Sequence, residues 1–221
     1  MSRIDFFSKI EDKYNIGLKR NRGIICRIDA RKTTGNKNID LLDEKHGFTY
    51  ALKSACLEFS KKYQSVLVYV AVDEVNFLIV DTKRFLNSMK SNYAQEITGI
   101  ICQEFSYIFH QYYDKFTLFA GRSFSVYKNN FNSYLIYRKH TNKSVLTVYF
   151  FKNKQKISVC HKSYKELDAL GLNIEEYKNR TVYQKEGIVY YKGLTFEIED
   201  VLINGIDNLI SPKTVIFDKE I

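Results

Sequence analysis

The feature that most constrains the fold is a pair of apolar segments with almost nothing between them. Residues 66–80 read VLVYVAVDEVNFLIV, in which 66–72 and 75–80 are two strand-length apolar runs. Val, Ile, Phe and Tyr favour strands, and the short connection requires a tight hairpin. The two acidic residues at the crossing point, Asp73 and Glu74, are therefore predicted to lie at the turn of an otherwise buried β-ribbon.

The segments on either side of this hairpin predict an alternation of strands and helices. An apolar strand is predicted at 23–30, and a helix from Phe48 to Tyr63, because its apolar residues recur at helical spacing. A second helix at about 91–112 and a strand at 117–127 come after the hairpin. The order β-α-β-β-α-β is that of the ferredoxin-like fold, so the predicted fold class is α+β.

The rest of the chain predicts an extension of this unit. Helices are expected near 130–140 and 163–170, and a hairpin across 181–198. The chain has a single proline, and neither repeats nor low-complexity tracts suggest a flexible linker. We therefore predict a first region, 1–128, and a C-terminal helical and hairpin extension, 129–221, that packs on it.

Charge and cysteine usage bound the function only loosely. The chain carries 34 Lys and Arg against 25 Asp and Glu, and its net charge of +9 favours a polyanionic partner. Its richness in Lys, Asn, Ile and Tyr is also what an AT-rich genome encodes, so charge alone is a weak argument. The four cysteines are scattered singly, and no apolar stretch suits a signal peptide or membrane span. A reduced, cytoplasmic protein is predicted.

Three carboxylates are predicted to approach one another at one edge of the sheet. In this topology the first strand lies beside the hairpin, so Asp29 comes near Asp73 and Glu74. Such acids repel one another unless cations neutralise them, and an oxygen-rich site of this kind suits Mg²⁺. An Asp-Glu pair that merely forms a turn is the alternative. The buried flanking strands, and the small Ala30 whose carbonyl could approach a metal, favour the metal site.

The segment after the first strand offers phosphate ligands. Arg31 and Lys32 carry positive charge, and Thr33 and Thr34 carry hydroxyl groups. These groups, with the free amides of a glycine-containing loop, suit a triphosphate. The segment matches no Walker A pattern, so the signal is weak on its own.

Six segments resemble, in order and approximate spacing, the motifs of the tRNA-His guanylyltransferases, which are 3′–5′ nucleotide-adding polymerases. The segments are RIDARK at 27–32, VDEVNFLI at 72–79, GRSFSVY at 121–127, NSYLIYRKHTN at 132–142, YKELDALGLNIEEY at 164–177 and YQKEGIVYY at 183–191. Two departures stand at the predicted site: Ala30 replaces the family's Gly, and Val72 replaces its Ser.

The resemblance implies that region 1–128 is a palm-like catalytic domain that uses two Mg²⁺ ions. Asp29 and Asp73 would be the metal ligands, helped by the Ala30 carbonyl, and Glu74 would complete the catalytic cluster. The residues implied to bind the nucleotide and its triphosphate are Arg27, Ala30, Arg31, Lys32, Thr33 and Thr34. Those implied to contact RNA are Arg138, Lys139 and Lys165.

The resemblance also implies an activity. ATP or GTP would activate a tRNA 5′-monophosphate, and the 3′-hydroxyl of an incoming nucleotide would attack it, either in tRNA-His guanylylation or in tRNA 5′-end repair. A dimer or tetramer is implied as well. One alternative is a palm-type nucleotide cyclase or oligonucleotide synthase that makes a cyclic or oligomeric signal, although the G-G-D-E or G-G-D-D turn of such enzymes is absent. Another is a non-catalytic nucleotide- or RNA-binding relic, against which the three retained acids argue.

Overall fold

The structure is a computed structural model. It describes residues 16–31, 43–151, 169, 179, 181, 183 and 186–210. The predicted helix near 163–170 lies almost entirely outside the described residues.

The described strands form one six-stranded antiparallel sheet. They are β1 (Gly23–Ala30), β2 (Val66–Ala71), β3 (Glu74–Ile79), β4 (Phe119–Val126), β5 (Ile188–Tyr191) and β6 (Leu194–Glu197). Their order across the sheet is β4-β1-β3-β2-β5-β6, and every neighbouring pair is antiparallel. The predicted tight hairpin is confirmed, because β2 ends at Ala71 and β3 begins at Glu74.

The described helices are α1 (Gly47–Lys62), α2 (Thr82–Met89), α3 (Ala94–Phe109), α4 (Asn130–Phe151), α5 (Ile198–Asn204) and α6 (Ile206–Ile210). The first predicted helix is confirmed as α1. The predicted helix at about 91–112 is shorter, as α3, and the separate helix α2 precedes it. The boundary has a local cause: α2 ends where Lys90 adopts a left-handed φ of 53°, a conformation that ends a helix.

The two faces of the sheet carry different side chains. On one face, Phe77 of β3 lies between α1 and α3, with its ring centroid 4.6 Å from that of Phe59 and 5.6 Å from that of Phe105. Because successive strand residues point to opposite faces, Asn76 points the other way. There it accepts a 2.6 Å hydrogen bond from the Tyr134 hydroxyl of α4. We call these the apolar face and the polar face.

The predicted C-terminal hairpin is confirmed as β5 and β6, and it extends the sheet by pairing with β2. Among the described residues the cysteines Cys26, Cys56 and Cys102 are free thiols. None of the described helices has the length and apolar character needed to cross a membrane.

Candidate active site

The end of β1 lies beside the hairpin turn, as the topology predicts. In the antiparallel pairing of β1 with β3, Asp29 stands opposite Glu74, so both side chains belong to the same face. One residue further on, the Ala30 amide donates a 3.0 Å hydrogen bond to the Asp73 carbonyl. The backbones that carry Asp29, Asp73 and Glu74 are therefore in direct contact.

Glu74 is held by a buried cluster on the polar face. One carboxylate oxygen accepts hydrogen bonds from Arg138 Nε, at 2.8 Å, and from the side-chain Nδ2 of Asn76, at 2.7 Å. The other oxygen accepts a hydrogen bond from Arg138 Nη2. Glu74 and Arg138 are each 5% exposed. Burial raises the pKa of Glu74 above its usual value, and the charge of Arg138 and the Asn76 hydrogen bond oppose that rise. Both oxygens of Glu74 are thus engaged inside the protein.

Arg27 links this cluster to Asp29. Its Nη2 donates a 2.9 Å hydrogen bond to Asp29 Oδ2, and its Nε lies 3.5 Å from Glu74 Oε2. Nε has no hydrogen-bond partner among the described residues. The Asp29 side chain is 41% exposed, whereas the Glu74 side chain is buried. Asp29 is therefore oriented from the inside by a guanidinium and remains accessible from the outside.

The predicted convergence of three carboxylates is not met. Within the part of the chain that the structure describes, no three His, Cys, Asp or Glu side chains come together in a way that would hold a metal ion. Two of the three acids are instead paired with guanidinium groups, Asp29 with Arg27 and Glu74 with Arg138. Of the three acids, Glu74 is the one whose two oxygens are both engaged by Arg138.

A cavity of about 460 Å³ opens beside Asp29. Its lining residues are Asp29, Ala30, Arg31, Ala120, Gly121 and Arg122. Gly121 allows β4 to lie close to β1, because a Cβ added there would clash with the Arg27 carbonyl oxygen. The volume is within the range of small-molecule sites. The two exposed guanidinium groups, of Arg31 and Arg122, suit a ligand with phosphates.

The donor chemistry of the site fits Mg²⁺ in part. Mg²⁺ prefers oxygen ligands and binds through one or two carboxylates while substrate phosphates complete its shell. Asp29 offers an accessible carboxylate at the cavity, next to Asp73 and the Ala30 backbone. Glu74 does not fit as a ligand, because a metal ion would have to displace Arg138 from it.

Some of the residues predicted for binding lie outside the described residues, and others are held in ion pairs. Lys32, Thr33, Thr34 and Lys165 lie outside the described residues. Lys139 is paired with Glu199 and, at 3.2 Å, with Glu186.

Arg138 is buried against Glu74, so an RNA contact would require it to leave a buried ion pair. The RNA roles of Arg138 and Lys139 stay predictions. The structure adds Asn76 and Arg122 to the site. Asn76, a polar residue inside an apolar run, was a visible signal that sequence reasoning missed.

The fold is shared with solved structures of tRNA(His) guanylyltransferases. A bacterial tRNA(His) guanylyltransferase-like protein in complex with ATP is 19% identical, with a TM-score of 0.62 over 86% of this chain and 84% of that one. The structure with GTP has 19% identity and a TM-score of 0.58 over 85% and 84%. The enzyme from Saccharomyces cerevisiae has 13% identity and a TM-score of 0.57 over 87% and 95%.

No protein-family model and no curated protein sequence matches the chain. The resemblance predicted from the six motifs is thus confirmed in the three-dimensional fold, a mixed α/β architecture around a six-stranded antiparallel sheet, at low sequence identity.

Proposed function

We propose that this protein is a nucleotidyltransferase of the tRNA-His guanylyltransferase type, which adds nucleotides to the 5′ end of tRNA in the 3′–5′ direction. The observation that carries the proposal is the hydrogen bond from the Ala30 amide, next to Asp29, to the Asp73 carbonyl, beside a cavity flanked by Arg31 and Arg122. The fold shared with the tRNA(His) guanylyltransferase structures supports it. So do the ATP and GTP in the bacterial complexes, which suggest the nucleotide substrates.

The residues at the cavity have distinct proposed tasks. Arg31 and Arg122 bind the triphosphate through charge-assisted hydrogen bonds. Arg27 fixes the orientation of the Asp29 carboxylate through its 2.9 Å hydrogen bond. Asp29, Asp73 and the Ala30 carbonyl would hold two Mg²⁺ ions, which would supply activation of the attacking hydroxyl and stabilisation of the leaving oxygen. Glu74 acts indirectly, because it binds Arg138 and lies 3.5 Å from Arg27 Nε.

The proposal includes the architecture of a polymerase palm. The strand order β4-β1-β3-β2 supports a ferredoxin-like palm within residues 1–128, with residues 129–221 as an extension packed on it. Two contacts across that division support the packing: β5 pairs with β2, and Arg138 binds Glu74.

A second candidate changes the acceptor from tRNA to another nucleotide. Two residues predicted to contact RNA, Arg138 and Lys139, are each paired with carboxylates of the same chain. This observation favours a palm-type nucleotide cyclase or oligonucleotide synthase as the alternative, because such an enzyme needs no tRNA-binding surface.

One experiment separates these functions. The protein is incubated with Mg²⁺ and labelled ATP or GTP, with tRNA that lacks its first 5′ nucleotide or without RNA. Addition to the tRNA supports the first proposal. A phosphatase-resistant small product without RNA supports the second. Nucleotide binding with neither product contradicts both and indicates a binding protein.

Asp29→Asn tests the site itself. We expect a loss of turnover of about 100-fold or more, since a neutral amide is a poorer Mg²⁺ ligand than a carboxylate and the loss of one group that stabilises the transition state typically costs this much. The matched control is Asp81→Asn, whose carboxylate caps α2 by accepting from the Arg84 amide at 3.1 Å. The control should keep full activity because Asn also caps helices. Normal turnover in Asp29→Asn would refute the assignment of the site.

A further inference from the structure

The turn that carries Asp73 has an unfavourable backbone conformation. Val72 has a φ of 61° and is 1% exposed. A β-branched residue seldom adopts this left-handed conformation, because its side chain crowds the backbone. Such conformations persist only where the surrounding structure enforces them. Something other than local preference must therefore hold the turn in place.

A tyrosine from the C-terminal region binds this turn. The Tyr183 hydroxyl donates a 3.3 Å hydrogen bond to the carbonyl of Val72, although the two residues are 111 positions apart. Tyr183 is 1% exposed, so its hydroxyl and the carbonyl meet away from water. A buried carbonyl left without a partner is costly, which makes this contact a restraint on the turn.

The segment that carries Tyr183 is itself anchored to β2, the strand that leads into the turn. The Tyr69 hydroxyl donates a 2.7 Å hydrogen bond to the Glu186 carbonyl, and the Gly187 amide donates to the Tyr183 carbonyl at 3.0 Å. A Cβ added at Gly187 would stand 2.6 Å from the Val70 carbonyl oxygen. Tyr183 is thus fixed relative to β2 and can restrain the turn into which β2 leads.

We propose that Tyr183 is a positioning residue for the site, acting through the Val72 carbonyl on the backbone of Asp73. This inference rests on the proposed function, in which Asp73 belongs to the reacting site. Tyr183 is not among the residues that line the cavity. The C-terminal segment therefore contributes to turnover by holding the hairpin turn against the end of β1, and not by contacting the substrate.

Tyr183→Phe keeps the ring and removes only the hydroxyl. We expect kcat to fall about 10- to 100-fold, the range that small misplacements of reacting groups produce, with the nucleotide KM unchanged. The matched control is Tyr63→Phe, which removes a tyrosine hydroxyl at the opposite end of β2, where the ring packs on Phe59 and Phe85. It should leave kcat close to normal. Unchanged kcat in Tyr183→Phe, or equal losses in both variants, would overturn the proposal.

Hydrogen exchange gives a readout that needs no activity. The Ala30 amide donates to the Asp73 carbonyl at 3.0 Å, so its protection reports the position of the turn. Tyr183→Phe should accelerate Ala30 exchange, and Tyr63→Phe should not. If the unmodified protein transfers no nucleotide, the proposed function fails while Ala30 still tests the restraint. Unchanged Ala30 protection would refute the restraint whatever the activity.

Val72→Gly tests the coupling from the other side. Glycine adopts a left-handed φ without steric cost, so the turn should depend less on Tyr183. Removing the Tyr183 hydroxyl should therefore accelerate Ala30 exchange less in the Val72→Gly background than in the natural chain. An equal acceleration in both backgrounds would show that the two residues act independently.

Discussion

The two faces of the sheet are stabilised by different interactions. On the apolar face, aromatic rings of α1, β3 and α3 exclude water. The contacts of Phe59, Phe77 and Phe105 are van der Waals contacts between apolar rings, with no hydrogen bond or charge to set a direction. On the polar face, Glu74 and Arg138 are equally buried but depend on direction and charge. An apolar contact tolerates small shifts, whereas a two-point ion pair fixes both position and orientation. The polar face can therefore align Arg27 and Asp29 in a way that the apolar face cannot.

The largest expected effect is on the apolar face. Phe77→Ala should lower the free energy of unfolding by about 3–5 kcal/mol, as expected for a large cavity in a core. Urea unfolding measures the loss. The folded fraction should bind nucleotide normally, because Phe77 points away from the cavity. A loss of nucleotide affinity as large as the loss of stability would contradict this division of roles between the faces.

A comparable but separable effect is expected on the polar face. Arg138→Met leaves Glu74 buried without its counter-charge, which typically costs about 3 kcal/mol or more. It should also weaken turnover, because Arg27 is free to turn from Asp29 towards Glu74.

Adding Glu74→Gln to Arg138→Met removes the unpaired charge and should recover at least half of the lost stability. Urea unfolding of both single variants and of the double variant measures the recovery. Loss of tRNA binding without loss of stability in Arg138→Met would instead support the predicted RNA contact.

The smallest expected effect concerns an exposed ion pair between the apolar-face helices. Lys62 of α1 binds Glu104 of α3 at 2.5 Å, and the hydrogen bond from Lys62 lowers the pKa of Glu104 below its usual value of 4.5. A lowered carboxylate pKa gives stability that is present above pH 4.5 and lost as the pH falls through the folded-state value.

Glu104→Gln should therefore cost only a few tenths of a kcal/mol at neutral pH, because solvent screens the pair. The difference from the natural protein should vanish in acid. A loss above about 1 kcal/mol would show that this surface pair is stronger than exposed pairs generally are.

The sequence predicted the features that arise from local pattern. The helical spacing of Phe48, Leu52 and Phe59 predicted α1, and the interrupted apolar run predicted the β2-β3 hairpin. The ferredoxin-like topology then brought Asp29 beside that hairpin. Each step needs only periodicity, turn chemistry and a known strand order.

The features that were missed depend on contacts between distant residues. The partnership of Glu74 with Arg138 spans 64 positions, and the Tyr183 contact spans 111. Neither helix periodicity nor turn composition encodes such pairs. Helix α2 was also missed, and the left-handed conformation of Lys90 that ends it is a backbone conformation that the residue type does not indicate.

The addition of β5 and β6 to the side of β2 has a consequence for how the molecule opens. It makes the ribbon of β2 and β3 interior to the sheet, with two strands beyond it on either side. Fraying that starts at either margin must detach an outer strand before it disturbs the Asp73 turn. The β2-β3 ribbon that carries Asp73 should therefore be among the last parts of the sheet to exchange its amide protons with water.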